Sequence, residues 1–411
     1  MENSLVRTKS GISYLLPFIL VTSLFFLWGF AHSFLDVLNK HFQEVLSISK
    51  ARSAFIQLAV YGGYFLMALP AGMFIKKFGY RAGVILGLVL YGLGALLFIP
   101  GSYIMSFPFF LFSLFVIGCG LTCLETAANP YVTILGEKET ASSRLNLSQS
   151  FNGLGWIMGP LVGGLIVFTV PGGNISLPYT IVGIVVILVG ILFVRVPLPE
   201  VFDQSVSIET TTSQKKLWKY PHFVFGVIAL FFYVAAQTGV NSFFINYVTE
   251  SIPHVTNKAA SLMLSFGGMG LFMSGRFLGS WLMKRISDRL ILSICSALSA
   301  SCMLCVMLEL GYISVVALFA NYLFMSIMFP TIFSLAIRNL GALTPKASSI
   351  LIMSIVGGAI APVLMGLIGE TKMSHGFIVP LVCFLVIWSY SLYLKKKISL
   401  NDLELASLTI D

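Results

Sequence analysis

Two carboxylates stand where a carboxylate is costly. Glu125 ends a stretch of eighteen uncharged, mostly apolar residues, Phe107 to Leu124, and Asp36 closes LWGFAHSFLD in the first apolar run. Nearly all the other acidic residues fall in loops or near the ends of apolar runs. An ionised side chain deep in an apolar medium costs about 2.5–3.5 kcal/mol on insertion scales, so such residues face a protein interior or a water-filled cavity. There a carboxylate can take up a proton or accept hydrogen bonds from hydroxyls, which makes Asp36 and Glu125 the first candidates for function. Each also has a plainer reading: Asp36 as an interfacial group near the outer end of its run, Glu125 as a hydrogen bond to a neighbouring helix.

Polar residues accompany both in helical register. His32 precedes Asp36 by four residues, so the two share a face. In RLNLSQSFNGLG, Asn146, Gln149 and Asn152 recur every three residues and stack amides along one side. Amides and carboxylates together suit a ligand with many hydroxyls, because each hydroxyl both donates and accepts. His32, Ser33, Asp36, Glu125, Asn129, Asn146, Gln149, Asn152, Gln237 and Asn241 form the candidate substrate-binding set. Tyr131, Tyr233 and Tyr247 offer rings that could lie against a sugar face. The six cysteines sit inside apolar runs with no metal-ligand spacing or disulfide framework, so buried thiols are expected. No phosphate loop, Ser/His/Asp set or HExxH motif appears; neither catalysis, metal nor cofactor is expected.

The elements that must position these residues follow from composition. Hydrophobic residues make up 57% of the 411, charged residues 10%, and the mean hydropathy is +0.93. Soluble domains carry about 25% charge, so the chain reads as an integral membrane protein. A helix crosses the hydrocarbon layer in about 20 apolar residues. Runs of that kind number twelve, at 13–38, 53–75, 82–100, 107–134, 145–169, 177–197, 221–249, 258–283, 290–309, 312–337, 347–369 and 375–394. The first reads as a span, not a cleaved leader. The formal charge of +9 comes from basic residues between spans, which signal topology and not nucleic-acid binding. With both termini cytoplasmic, nineteen of the twenty-five Lys and Arg lie inside; Lys40, Lys50, Arg52, Lys258 and Lys372 lie outside, and Arg276 falls within a span. Arg276 either reaches to the cytoplasmic end or sits in a cavity.

One Ser/Thr-rich polar stretch separates the sixth and seventh spans, dividing the chain into an N-terminal half 1–197, a cytoplasmic linker 198–220 and a C-terminal half 221–411. KKFGYR at 76–81 after the second span is echoed by KRISDR at 284–289 after the eighth, as duplicated halves would show. The expected class is all-α integral membrane, twelve transmembrane helices in two six-helix halves.

FFLWGFAHSFLDVL, GCGLTCLETAANPYVTILG, RLNLSQSFN and FPTIFSLAIRNLG closely resemble the fucose–proton symporter family of the major facilitator superfamily, and the similarity runs over nearly the whole chain. The resemblance implies the major facilitator fold and places Asp36 and Glu125 at positions implicated in proton coupling and sugar recognition. It sets Gln149 and Asn152 in a polar cavity wall. Lys76 stands where the wider superfamily's loop motif has an aspartate, a departure the family shares. AHSFLD departs from the asparagine-containing run common ahead of the aspartate. The function implied is import of a monosaccharide, L-fucose or a related hexose, with a proton by alternating access, in a functional monomer of the bacterial inner membrane. Its partners are the sugar, the coupling proton and the lipid bilayer. An uncoupled facilitator and a sodium-coupled hexose transporter are the alternatives; the polar faces argue against an exporter of apolar compounds.

Overall fold

The computed structural model describes Val6 and residues 13–136, 141–168, 176–196, 217–283, 285–338, 340 and 343–408. Nearly all of them are helical, as lipid demands: with no water to bond N–H and C=O groups, a helix satisfies them internally. Nine stretches among the described residues are long and apolar enough to cross a membrane, and one of these, Lys50–Ile104, holds two crossings. The helices at 141–166 and 257–282 complete twelve.

The helices are α1 Leu15–Val45; α2 and α3, the two arms of Phe55–Leu96; α4 Phe107–Ile134; α5 Ala141–Ile166; α6 Ser176–Arg195; and α7 Pro221–Ser251. The segmented α8 comprises Asn257–Leu262, the π-helical turn Met263–Met269 and Gly270–Leu282. Then come α9 Asp288–Met307 and α10, Tyr312–Met325 followed by Met328–Ile337. α11 runs through Thr344–Met353, a 3-10 turn Ser354–Val356 and Gly357–Ile368, and α12 is Ile378–Leu408.

Three differences from the sequence reading have local causes. The second and third spans are not parted by a loop: the helix reverses at Gly79, whose φ of 86° and ψ of 169° lie where only glycine goes without strain. In its echo KRISDR, Arg285 to Ser287 lie between α8 and α9, and Asp288 and Arg289 open α9. Secondly, α1 continues to Val45, so Asp36 lies well inside a helix and not at its outer end. Val37, Leu38, Asn39, His41 and Phe42 beyond it are all buried, and that packing sustains the extra turns. Thirdly, α12 runs past the apolar segment to Leu408.

The described chain forms two compact units, residues 1–207 with 255–266, and residues 208–254 with 267–411. Of the expected linker 198–220, only Leu217 to Tyr220 are described. In the first unit, α1 packs along α5 with little between the backbones. A Cβ on Gly155 would overlap the Phe26 carbonyl, and one on Gly159 would overlap the Ser33 hydroxyl. Small residues permit this approach where apolar burial alone gives no drive between helices. The opening part of α8 joins the same unit through α5: Ser261 Oγ donates to the Pro160 carbonyl at 2.6 Å and Ser265 Oγ to Ile157 at 2.6 Å. On the outside of the unit, α6 exposes Ile181, Ile184, Leu188 and Leu192, a helical stripe suited to lipid.

Two basic residues also serve the fold. Arg81 donates from Nε to the Phe193 carbonyl at 3.2 Å and from a terminal nitrogen to Val194 at 2.7 Å, satisfying the last carbonyls of α6. Arg144, fully buried, donates from Nε to Val132 near the end of α4 at 3.1 Å.

Candidate substrate and proton site

Asp36 and His32 share the buried face of α1, as their four-residue spacing predicts. Both are held by α2. Gln57 Nε2 donates to Asp36 Oδ1 at 3.2 Å, and His32 Nε2 lies 3.0 Å from the Tyr64 hydroxyl. Aromatic rings enclose the imidazole: Trp156 of α5 stacks on it at 5.9 Å with planes 11° apart, and Tyr61 and Tyr64 lie at 5.8 and 5.4 Å. Gln57, Tyr61 and Tyr64 recur after four and three residues along QLAVYGGY, one helical face. That spacing was readable in the sequence, but tyrosines among so many aromatics carried no distinction there.

Glu125 projects from α4 to the same place, its carboxylate beside the Tyr64 hydroxyl. Tyr64 belongs to a neighbouring helix and is also the partner of His32. One turn along, Asn129 Nδ2 donates to the Glu125 carbonyl at 3.1 Å, and Gln149 Nε2 of α5 donates to Asn129 Oδ1 at 3.4 Å. Thr122 and Thr126 turn their hydroxyls back onto helix carbonyls, at 2.8 and 2.7 Å, and bring nothing to the cluster. The first unit thus gathers Asp36, His32, Glu125, Asn129 and Gln149 with Gln57, Tyr64 and Trp156.

Other residues of the candidate set have different partners or belong to the second unit. Ser33 donates to the carbonyls of Gly29 and Phe30 at 3.1 and 3.2 Å and of Gly155 at 3.2 Å, and Asn152 Nδ2 donates to Phe25 at 3.1 Å. Both tie α1 to α5. Asn146 belongs to α5, with its side chain outside the described set. Gln237 and Asn241 belong to the second unit, where Asn241 is buried and its Oδ1 has no hydrogen-bond partner. Arg276 lies in that unit's interior beside Tyr233, its guanidinium 4.8 Å over the Phe272 ring and its Nε unpartnered.

The three tyrosines suggested as sugar platforms are packing residues. Tyr131 stacks on Tyr80 at 5.8 Å, Tyr233 donates to the Met325 carbonyl at 3.0 Å, Tyr247 donates to Val306 at 2.8 Å, and all three rings are buried. A cleft lined by Phe30, Phe34, Tyr91 and Tyr179 is almost wholly apolar and gives a hydroxylated ligand little to bond. All six cysteines are free thiols, and among the described residues no group of His, Cys, Asp and Glu could hold a metal ion.

A family model of the Major Facilitator Superfamily matches residues 18–362. The L-fucose-proton symporter of Escherichia coli (strain K12) is 37% identical, over 95% of this chain and 98% of the relative. The chain belongs to the fucose–proton symporter and glucose/galactose transporter family of that superfamily. The glucose/galactose transporter of Brucella abortus biovar 1 (strain 9-941) is 36% identical, over 95% of this chain and 97% of the relative. A crystal structure of the E. coli fucose:proton symporter superposes with a TM-score of 0.68 at 36% identity, over 93% of this chain and 99% of that one. The protein is a multi-pass membrane transporter with the all-helical major facilitator fold, and not an enzyme.

Proposed function

We propose that the protein imports a monosaccharide, L-fucose or a related hexose, together with a proton by alternating access. The observation that carries this reading is the cluster of Asp36 and Glu125 with the amides of Asn129 and Gln149. Its mixture of donors and acceptors suits several hydroxyls, and its two carboxylates suit a proton whose binding and release drive transport. In this reading Asp36 and Glu125 couple the proton, Glu125, Asn129, Gln149 and Asn146 are the sugar-binding candidates of the first unit, and Gln237 and Asn241 are those of the second. Relatives named for L-fucose–proton symport and for glucose and galactose transport support the sugar class. The nineteen-to-five distribution of basic residues supports cytoplasmic termini, and the bacterial relatives support residence in an inner membrane.

Uptake of labelled hexoses into vesicles, with pH and sodium gradients imposed separately, tests the reading. Accumulation of fucose or another hexose under the pH gradient alone is the expected result. Accumulation only with sodium, or equilibration without accumulation, would assign the chain to sodium coupling or to facilitated diffusion.

A further inference from the structure

We infer that His32, Tyr64 and Glu125 form a proton relay, with the Tyr64 hydroxyl as the link through which Glu125 is loaded and unloaded. The inference rests on the proton-coupled reading above and adds a route to it. The three groups come from α1, α2 and α4: His32 Nε2 lies 3.0 Å from the Tyr64 hydroxyl, and the Glu125 carboxylate lies beside that hydroxyl, near enough to interact with it. A phenol is suited to the middle position because it both donates and accepts. With Glu125 ionised, the Tyr64 hydroxyl donates to the carboxylate and its oxygen accepts from His32 Nε2–H.

The transfer balances without a co-reactant. A proton binds His32 Nδ1; the Nε2–H bond breaks and its proton passes to the Tyr64 oxygen; the proton that Tyr64 held passes to the Glu125 carboxylate. His32 ends neutral with its hydrogen on Nδ1, Tyr64 is again a phenol, and Glu125 is the neutral acid. Release reverses these steps. The ionisable groups facing Tyr64 are Glu125 from α4, His32 from α1, Tyr61 from its own helix and Tyr91 from α3, while α5 brings the uncharged Trp156. Asp36, one turn beyond His32, is bonded to Gln57, so its carboxylate has its own partner on α2. Trp156 stacked on the imidazole holds the ring edge toward Tyr64.

Tyr64→Phe keeps the ring and removes the link. In vesicles, sugar-induced alkalinisation should slow by roughly 100-fold, the scale of a positioned acid–base group, while exchange of labelled for unlabelled sugar falls by no more than roughly tenfold, the scale of one lost hydrogen bond. His32→Gln places an amide donor near the Nε2 position but cannot pass a proton, so it should show the same split. The wild type should also show a solvent deuterium isotope effect on alkalinisation that Tyr64→Phe loses. Equal slowing of exchange and alkalinisation in Tyr64→Phe, or wild-type alkalinisation in either variant, overturns the relay alone. A wild type that transports sugar without alkalinisation overturns the coupled reading, and the relay with it.

Discussion

The polar cluster of the first unit and three buried polar groups of the second differ in how they are bonded. In the first, Asp36 has Gln57, Glu125 has Tyr64, Tyr64 has His32, and Asn129 has Gln149. In the second, Asn241 Oδ1, Asn321 Oδ1 and the Arg276 Nε are buried without a hydrogen-bond partner. An unsatisfied buried group costs about 1–3 kcal/mol, so these three groups of the second unit carry a latent demand for a ligand or water, whereas each group of the first unit's cluster already has a partner. Proton chemistry belongs with the bonded set, since relocating a proton requires a neighbour to receive it.

The strongest way to break this contrast is at Asp36. Asp36→Asn keeps a hydrogen-bonding group beside Gln57 but cannot change charge, and it should abolish accumulation driven by a pH gradient while leaving sugar exchange measurable. Full accumulation would remove Asp36 from coupling. Next is Glu125→Gln, expected to fold and bind sugar with an affinity that no longer follows pH, because linkage between proton and sugar must be reciprocal. A wild-type pH profile in titration calorimetry would make the glutamate a structural tie.

Gln149→Ala should weaken sugar binding by roughly 5- to 150-fold, the equivalent of about 1–3 kcal/mol for a polar group left unpaired. Asn241→Leu sharpens the comparison from the other side. It removes an oxygen that already lacks a partner, so the thermal midpoint should hold or rise while sugar affinity falls. A fall in midpoint with unchanged affinity would show that the amide supports the fold.

The smallest effect is expected at the loop between α9 and α10. Glu309 accepts from Ser374 Oγ at 2.5 Å and from Lys372 Nζ at 3.0 Å, and these bonds hold its carboxyl below the usual range. A depressed carboxylate pKa adds stability above its unfolded value of about 4.5, which is lost as pH falls through the lower folded value. The site is exposed, so Glu309→Gln should cost below about 1 kcal/mol at neutral pH and nothing in strong acid, measured by thermal unfolding across pH.

Asp36 and Glu125 were legible in the sequence because a charge in an apolar run is conspicuous, and their number of spans followed from run length. What spacing could not supply was the neighbour. Ser33 and Asn152 lie on polar faces as regular as that of Gln149, yet they serve the crossing of α1 and α5. A helical period tells which residues share a side, not which helix covers that side. Tyr64 was hidden for the opposite reason: its period was visible, but a tyrosine is unremarkable until a carboxylate and an imidazole are found on either side of its hydroxyl. The turn at Gly79 was invisible because an apolar run ends alike before a loop and before a single left-handed residue.

The closeness of α1 and α5 also bears on how a mutational scan of this transporter should be interpreted. Gly155 and Gly159 have no room for even one methyl group, so a saturation library selected for transport should recover glycine there as strictly as it recovers the carboxylates. Leu66 and Leu69, both exposed, should accept any apolar residue. Intolerance to substitution would therefore trace two overlapping maps, one of chemistry and one of clearance. Separating them takes a second selection, for membrane abundance alone, in which the glycines should stay intolerant and Asp36 and Glu125 should become permissive.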